Sequence, residues 1–278
     1  MRIAFVFPGQ GSQSVGMLSG FAGNETVAGV MARADEALGF SLTGLIAEGP
    51  TPEMMAGHSL GEYSALCAAG AMSLETAVRL VRFRAEAMQS AVPVGVGGMA
   101  AVIGLADDDV EAAVAEARET GRVEAVNFNA PGQVVIAGEK AAVARAIECA
   151  KARGCRRAIE LPVSAPFHSS LMQPAADKLA ARLAETEIQV PAIPVIANID
   201  VEVHETPDAI REALARQAAG AVQWVRTIER MKAAGITDIV ECGPGKVLTG
   251  LLRRTAPEIN GHNIFDAASL AAVLEKLN

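Results

Sequence analysis

The sequence of 278 residues predicts an α/β protein, in which a large domain with a mostly parallel sheet carries a small inserted α+β domain. Apolar strand-like runs alternate with amphipathic helical patterns, which is typical of a parallel sheet with helices on its faces. A Pro/Gly-rich stretch at residues 92–98 suits a hinge, and a β-α-β-β-α-β order follows it. We therefore assign residues 1–94 and 164–278 to the large domain and residues 95–163 to the small one.

The N-terminal part contains two apolar runs that end in glycine-containing turns. Residues 3–7 form a continuous apolar run, typical of a strand buried on both faces, and a Gly-rich turn follows at 8–12. A second, shorter run at 54–57 leads directly into a helical pattern. The predicted helices here are 28–38, 60–69 and 74–90.

The small domain has the order of a split β-α-β, ferredoxin-like fold. Asp107, Asp108 and Asp109 are candidate N-caps for its first helix, because a short carboxylate accepts hydrogen bonds from the first N–H groups of a helix. The predicted elements are strand 99–104, helix 108–120, strands 124–129 and 133–138, helix 140–153 and strand 156–161.

Strands and helices alternate again after residue 163. A Gly-Pro-Gly turn at 243–245 joins the last predicted strand to the last predicted helix. The predicted elements are helix 172–185, strand 194–197, helices 208–219 and 225–234, strand 238–241 and helix 246–254.

Composition excludes several classes of protein. The net charge of −8, from 24 basic and 32 acidic residues, argues against whole-surface binding to nucleic acid or an anionic membrane. The N-terminal apolar run is too short for a signal peptide, and no stretch is long enough to span a membrane. We expect a cytoplasmic, monomeric enzyme with no metal and no cofactor. The four cysteines have no metal-site spacing and are too few for a disulfide scaffold: Cys67, Cys149, Cys155 and Cys242.

Residues Gly57-His58-Ser59-Leu60-Gly61 match the G-x-S-x-G pattern of a nucleophile elbow. The context supports this interpretation, because an apolar strand enters the turn and a helical pattern leaves it. Such an elbow exposes the serine hydroxyl and directs helix N-terminal N–H groups, including that of Leu60, at the space where an oxyanion forms. The large domain is therefore predicted to be α/β-hydrolase-like. The alternative is an ordinary tight turn in which Ser59 caps a helix.

A serine nucleophile needs a base, and the chain has only four histidines. His168 follows the last strand of the small domain, where the chain returns to the large one, and domain junctions favour active sites. His58 adjoins the serine and diverges from it, while His204 and His262 lie in polar surroundings and are expected to be solvated. No carboxylate stands out as a third member, so a main-chain carbonyl or an amide is the alternative partner of the imidazole.

Six short motifs in one order resemble the malonyl-CoA:acyl carrier protein transacylases and the related acyltransferase domains of polyketide synthases. The similarity extends from Met1 to about Ala268, and the ordered set is far more specific than any one motif. The motifs are residues 7–13 (FPGQGSQ), 57–62 (GHSLGE), Arg84 with Met88-Gln89, 127–133 (NFNAPGQ), 166–169 (PFHS) and 243–246 (GPGK).

The resemblance implies a role for each matching residue. Ser59 is the acyl-accepting nucleophile and His168 its base, while Gln10 and the Leu60 N–H hold the oxyanion. Gln217 matches the position whose main-chain carbonyl orients the histidine in this family, which would explain the missing carboxylate.

The resemblance also implies how the acyl group is selected. Arg84 matches the arginine that holds the free carboxylate of the malonyl group, and a guanidinium suits this role because it binds a carboxylate with two hydrogen bonds. Without the resemblance, Arg84 is an ordinary polar-face residue beside Arg79 and Arg82. Phe167 resembles the malonyl-selective version of its position. Asn127 and Asn129 either border the coenzyme A channel or are turn residues.

The implied reaction is the transfer of malonyl from malonyl-CoA to acyl carrier protein through a malonyl-serine, in fatty acid or polyketide synthesis. A serine esterase or thioesterase of the α/β-hydrolase type and a non-catalytic carrier-binding scaffold are the alternatives. Carrier proteins are acidic, so a chain of net charge −8 needs a local basic patch to dock one. The densest cluster is Lys151, Arg153, Arg156 and Arg157, with Lys246, Arg253 and Arg254 further along the chain.

The sequence departs from the family near Thr51. Family members place a helical stretch of about thirty residues between the segments that match 45–50 and 52–57, and one or two residues remain here. Losing a core helix would expose apolar surface to water, which costs roughly 25 cal/mol of folding free energy per Å². We therefore predict that the natural polypeptide contains this stretch. The alternative is a shortened, inactive variant, for which the intact mass would be 28.7 kDa rather than a larger value.

Overall fold

A computed structural model describes residues 2–7 and 52–277, and the chain forms two compact units. The first unit comprises Met1–Arg82, Thr186–Ile210 and Arg226–Asn278, and the second comprises Phe83–Glu185 and Arg211–Val225. The second unit contains the segment assigned to the small domain and extends beyond it, and the domain boundaries at 94 and 163 stay a prediction. The turn at 8–12, the helix at 28–38 and the connection near Thr51 lie outside the described residues.

The described strands and helices follow the predicted order, with a strand and a helix added near the C-terminus. The strands are β1 Ile3–Phe7, β2 Met54–Gly57, β3 Gly97–Ile103, β4 Val123–Ala130, β5 Gln133–Glu139, β6 Arg157–Glu160, β7 Val195–Ile196, β8 Asp238–Cys242 and β9 Asn260–Ile264. The helices are α1 Gly61–Ala68, α2 Leu74–Ala91, α3 Asp107–Ala117, α4 Lys140–Ala152, α5 Gln173–Ala184, α6 Pro207–Ala218, α7 Trp224–Ala233, α8 Val247–Thr255 and α9 Ala267–Leu277, and a 3₁₀ turn spans Ser170–Met172.

The first unit contains a five-stranded parallel sheet in the order β7-β2-β1-β8-β9. Every residue of β1 and of β8 is buried, because a strand in the middle of a parallel sheet is covered on both faces. Phe7 pairs in register with Gly57, so the carboxyl ends of β1 and β2 meet at one edge of the sheet. Ligands bind at this edge in open α/β sheets, and the turns after β2 and β8 leave from it.

The second unit contains a four-stranded antiparallel sheet in the order β4-β5-β3-β6. The β-α-β-β-α-β order of its elements agrees with the prediction. Side chains alternate between its faces: Val102 and Ile136 pack with α3 and α4, whereas Met99 and Val135 pack with Phe167. Both faces of this small sheet are therefore apolar and covered.

One expectation about local structure is wrong, and two elements of the structure were not predicted. Helix α3 begins at Asp107 with Ala106 as its N-cap and no capping side chain, so the three aspartates occupy its first turn rather than the cap. Strand β9 was not predicted, because its sequence NGHNI is polar and it lies at the edge of the sheet. Helix α9 was not predicted either, although Val273 and Leu277 are buried at helical spacing.

The cysteines agree with the expectation from their spacing. All four lie in the described part of the chain and are free thiols. Within residues 2–7 and 52–277, the structure has no helix long and apolar enough to cross a membrane.

Candidate functional site

The turn between β2 and α1 has the geometry of a nucleophile elbow. Ser59 has a φ of +55°, which is uncommon for a residue with a side chain and marks a strained turn. A Cβ added to Gly57 would overlap the main chain of Gly61 and Glu62, so strand and helix pass too close for any side chain at position 57. The sequence folds this way because glycine stands where the backbones approach and β2 is held inside the sheet.

Main-chain and side-chain hydrogen bonds hold the elbow at Gly57, His58 and Ser59. The N–H of His58 donates to the carbonyl of Phe7 at 2.8 Å, which fastens the turn to the end of β1. The Ser59 N–H donates to Oδ1 of Asn198 at 2.6 Å, and Nδ2 of Asn198 donates to the carbonyl of Gly57 at 2.7 Å. Asn198, just after β7, was not identified from the sequence.

The Leu60 N–H is the next donor along this turn. Leu60 precedes α1 as its N-cap residue, and no hydrogen-bond acceptor for its N–H is found among the described residues. The first N–H groups of a helix lack intrahelical partners and carry a partial positive charge. The Leu60 N–H is thus chemically suited to bind an oxyanion beside Ser59. Gln10, the other predicted donor, lies outside the described residues.

His168 is buried in the second unit and is oriented by a main-chain carbonyl. Only 5% of His168 is exposed, and its Nδ1 lies 2.9 Å from the carbonyl oxygen of Gln217. A carbonyl can only accept, so Nδ1 carries the proton and the lone pair is left on Nε2, the arrangement that a general base requires. His168 also borders a cavity of about 660 Å³, whose lining includes Glu124 and residues 219–221.

The loop that carries His168 is itself fastened. His168 has a φ of +66°, a second strained position. The Ser169 hydroxyl donates to the carbonyl of Pro166 at 2.7 Å, and the Ser170 N–H donates to a carboxylate oxygen of Glu124 at 2.8 Å. These contacts stabilise the left-handed conformation that presents the imidazole.

Arg84 is buried, unlike its neighbours on the same helix. It is 5% exposed, whereas Arg79 and Arg82 are exposed on α2. Its Nη2 donates to Oε1 of Gln217 at 3.0 Å. Gln217 therefore contacts both functional groups: its main chain orients His168 and its side chain binds the guanidinium.

The other predicted binding residues lie on or beside the antiparallel sheet. Phe167 packs against Met99 and Val135 on the face away from α3 and α4. Asn127 is buried in β4, where its backbone pairs with Val135, and Asn129 is half-buried near the end of the strand.

Within each unit the structure brings some of the predicted site residues together. His168, Gln217 and Arg84 are connected within the second unit, and Ser59 and Leu60 adjoin on the elbow of the first. The expectation that His204 and His262 are solvated is wrong. Their side chains are 20% and 11% exposed, and they contact Asp200 and Asp238 at 3.3 and 2.9 Å. No group of three potential metal ligands occurs in the part of the chain that the structure describes.

Comparison with known proteins identifies the class of protein to which this chain belongs. Residues 41–274 match the acyl transferase domain, and the chain belongs to that family of acyltransferases.

The similar proteins belong to a more specific class within this family. The chain is 46% identical to the malonyl CoA-acyl carrier protein transacylase of Escherichia coli (strain K12), with 99% of each chain covered. It is similar to the crystal structure of an acyl-carrier-protein S-malonyltransferase from Burkholderia pseudomallei 1710b, with a TM-score of 0.95, 51% identity and coverage of 99% of this chain and 100% of that one. A malonyl-transacylase in complex with a type II PKS acyl-carrier protein is also similar, with a TM-score of 0.94, 42% identity and coverage of 99% and 100%. The resemblance to malonyl-CoA:acyl carrier protein transacylases is confirmed.

The chain is shorter than its alignment with the Escherichia coli relative. The aligned region has 306 positions, whereas the chain has 278 residues, so gaps in this chain account for the difference. This agrees with the departure from the family noted in the sequence, and the presence of the extra stretch in the natural polypeptide stays a prediction.

Proposed function

We propose that the protein transfers a malonyl group from malonyl-CoA to the phosphopantetheine thiol of acyl carrier protein, through a malonyl ester of Ser59, in fatty acid synthesis. The single observation that carries this proposal is the double role of Gln217, which holds a buried arginine and the histidine base at once. A carboxylate receptor beside a general base suits an acyl group that itself ends in a carboxylate.

In the first half-reaction, Nε2 of His168 takes the proton of the Ser59 hydroxyl while the Ser59 oxygen attacks the thioester carbonyl carbon. The oxyanion accepts hydrogen bonds from the Leu60 N–H and from Gln10. The C–S bond then breaks, and His168 returns the proton to the coenzyme A sulfur. The second half-reaction is the reverse, with the carrier thiol as nucleophile, and the mechanism predicts ping-pong kinetics.

Arg84 supplies selectivity in this proposal. A guanidinium binds a carboxylate with two charge-assisted hydrogen bonds, and the malonyl group ends in a carboxylate. Phe167 fills the space that a methyl branch on the acyl group would need, and Asn127 and Asn129 border the approach of the pantetheine arm.

An esterase or thioesterase of the α/β-hydrolase type is less well supported. A hydrolase triad places a carboxylate on Nδ1 of the histidine, whereas here a main-chain carbonyl lies 2.9 Å from that atom. A hydrolase of neutral acyl groups also gives the buried Arg84 no role.

We nonetheless propose that the large domain is hydrolase-like in fold, on the basis of its parallel sheet and elbow. We also propose that the small domain is ferredoxin-like, on the basis of its β4-β5-β3-β6 strand order.

Two arginines of α2 provide the test of the proposed function. We expect Arg84→Ala to lower kcat/KM for malonyl-CoA by roughly 100-fold or more while activity with acetyl-CoA is retained or rises, because removal of a charge-assisted pair costs several kcal/mol only when the acyl group is charged. Arg82→Ala is the matched control, since it removes the same group from an exposed position. Equal losses with both acyl groups in Arg84→Ala would contradict the assigned role.

We further propose that the carrier docks on the exposed cations that follow α4. Arg156 and Arg157 are exposed, whereas Arg153 forms an ion pair with Glu116 at 2.9 Å. The double change Arg156→Glu and Arg157→Glu is expected to raise KM for the carrier several-fold at low salt and leave KM for malonyl-CoA unchanged. Lys178→Glu, an exposed reversal on α5, is the control, and an unchanged KM for the carrier in the double variant excludes this surface.

The proposed setting is the cytoplasm. We propose that the protein acts as a monomer and needs neither metal nor cofactor, because the steps above use only side chains and main-chain N–H groups of this chain.

A further inference from the structure

Asn198 bridges the two peptide groups on either side of His58, and it does so with both ends of its amide. Oδ1 accepts from the Ser59 N–H at 2.6 Å and Nδ2 donates to the Gly57 carbonyl at 2.7 Å. The partners leave one assignment of the amide, since an N–H can only donate and a carbonyl can only accept. Asn198 has no exposed surface, so neither bond is shared with solvent.

The position of Asn198 is itself fixed. Its own N–H donates to a carboxylate oxygen of Glu62 at 2.9 Å, and Glu62 is buried in the first turn of α1. The turn beyond Asn198 is closed by the Val201 N–H, which donates to the Ala197 carbonyl at 3.1 Å. Arg230 donates to the Val201 carbonyl and forms an ion pair with Glu202 at 2.7 Å. Asn198 is therefore a rigid support rather than a flexible side chain.

These contacts have a chemical consequence for the oxyanion site. The Ser59 N–H is committed to Asn198, so it cannot donate to an oxyanion. The Leu60 N–H, with no acceptor among the described residues, is the donor that the turn presents. The same two bonds hold Ser59 in its left-handed conformation, which sets the direction of its hydroxyl.

We propose that Asn198 is a positioning residue for the acyltransferase reaction: its side-chain amide locks the nucleophile elbow, so that Ser59 presents its hydroxyl and Leu60 presents its N–H to the acyl carbonyl. This inference rests on the proposed function of Ser59 as nucleophile.

Two changes at position 198 separate the two bonds. Asn198→Ala removes both, whereas Asn198→Asp keeps an acceptor for the Ser59 N–H but places an oxygen against the Gly57 carbonyl. A misplaced reacting group costs roughly 100-fold in rate. We expect single-turnover acylation by malonyl-CoA to slow by about 100-fold in both variants, with KM for malonyl-CoA within about threefold of wild type, because Arg84 still holds the carboxylate.

Asn263→Asp is the matched control for a merely structural effect. Asn263 lies in β9, at the edge of the parallel sheet, and donates through Nδ2 to the carbonyls of Glu241 and Gly243, at 3.2 and 3.4 Å. We expect it to lower the thermal unfolding midpoint as much as Asn198→Asp does, with acylation unchanged. Wild-type acylation rates in folded Asn198→Ala and Asn198→Asp would overturn the inference, and so would an equal loss in Asn263→Asp. Failure of the wild type to form any malonyl-Ser59 would instead overturn the proposed function.

Discussion

Gln217 offers a test in which side chain and main chain have separate tasks. Gln217→Ala removes the Oε1 that accepts from Arg84 at 3.0 Å but keeps the carbonyl that accepts from His168 at 2.9 Å. A buried hydrogen bond to a charged group contributes about 1.5–3 kcal/mol. If half or more of this free energy serves to aim the guanidinium at the substrate, kcat/KM for malonyl-CoA falls by about 3- to 150-fold.

The assay is the initial rate with malonyl-CoA and with acetyl-CoA, each measured across a range of pH. We expect the loss to be confined to malonyl-CoA, with the pH dependence of kcat/KM unchanged, because the acceptor of the His168 proton remains in place. Gln217→Glu should be worse than Gln217→Ala with malonyl-CoA, since the new carboxylate competes with the malonyl carboxylate for Arg84. Gln173→Ala, an exposed glutamine of α5, serves as the control. A shifted pH profile in Gln217→Ala with no change in acyl selectivity would refute the reasoning.

Three further predictions concern the fold. Gly57→Ala should abolish the soluble folded protein or its activity, because the new methyl group overlaps Gly61. Gly250→Ala, in open space within α8, should instead raise the free energy of unfolding by up to about 1 kcal/mol. Denaturant unfolding compares the two variants, and equal effects would contradict the elbow geometry. Burial alone would raise the pKa of Asp238, but hydrogen bonds from His262 and Thr237 outweigh it and hold this pKa below its ordinary value, so the carboxylate adds stability above pH ~4 that is lost as the pH falls. In urea unfolding, the free energy of unfolding of Asp238→Asn should therefore be about 1–2 kcal/mol lower than that of the wild type at pH 6. This difference should shrink below pH ~4. Burial, with a smaller contribution from Glu75, raises the pKa of Cys67 to about 11. Mass spectrometry after iodoacetamide treatment at pH ~8 should therefore find Cys67 largely unmodified, because the thiolate is the reactive form. Rapid labelling of Cys67 would contradict its burial.

Local patterns in the sequence were sufficient for most of the fold. A continuous apolar run predicted the buried strand β1, and the strand-turn-helix context of Ser59 predicted the elbow. Strand β9 could not be predicted in this way, because an edge strand next to β8 needs no apolar alternation.

Site residues could be predicted from the sequence only where they belong to a local motif. Ser59 and Leu60 belong to one motif, but Asn198 contacts that motif from 139 residues further along the chain. Glu62 belongs to the motif at 57–62, yet it contacts the N–H of Asn198 only because the tertiary fold brings the two residues together. The burial of Arg84 among exposed arginines is likewise decided by packing, since the helical pattern of α2 alone makes it one polar residue among several.

The central claim is that Ser59 carries malonyl between two thiols. The direct measurement is to mix the protein with malonyl-CoA, remove coenzyme A, locate the adduct by peptide mass spectrometry and add acyl carrier protein to the isolated acyl-enzyme. We expect one malonyl group on Ser59, no adduct in Ser59→Ala, and transfer of that group to the phosphopantetheine thiol faster than its hydrolysis. Release of free malonate in place of transfer, or an adduct on any other residue, would contradict it.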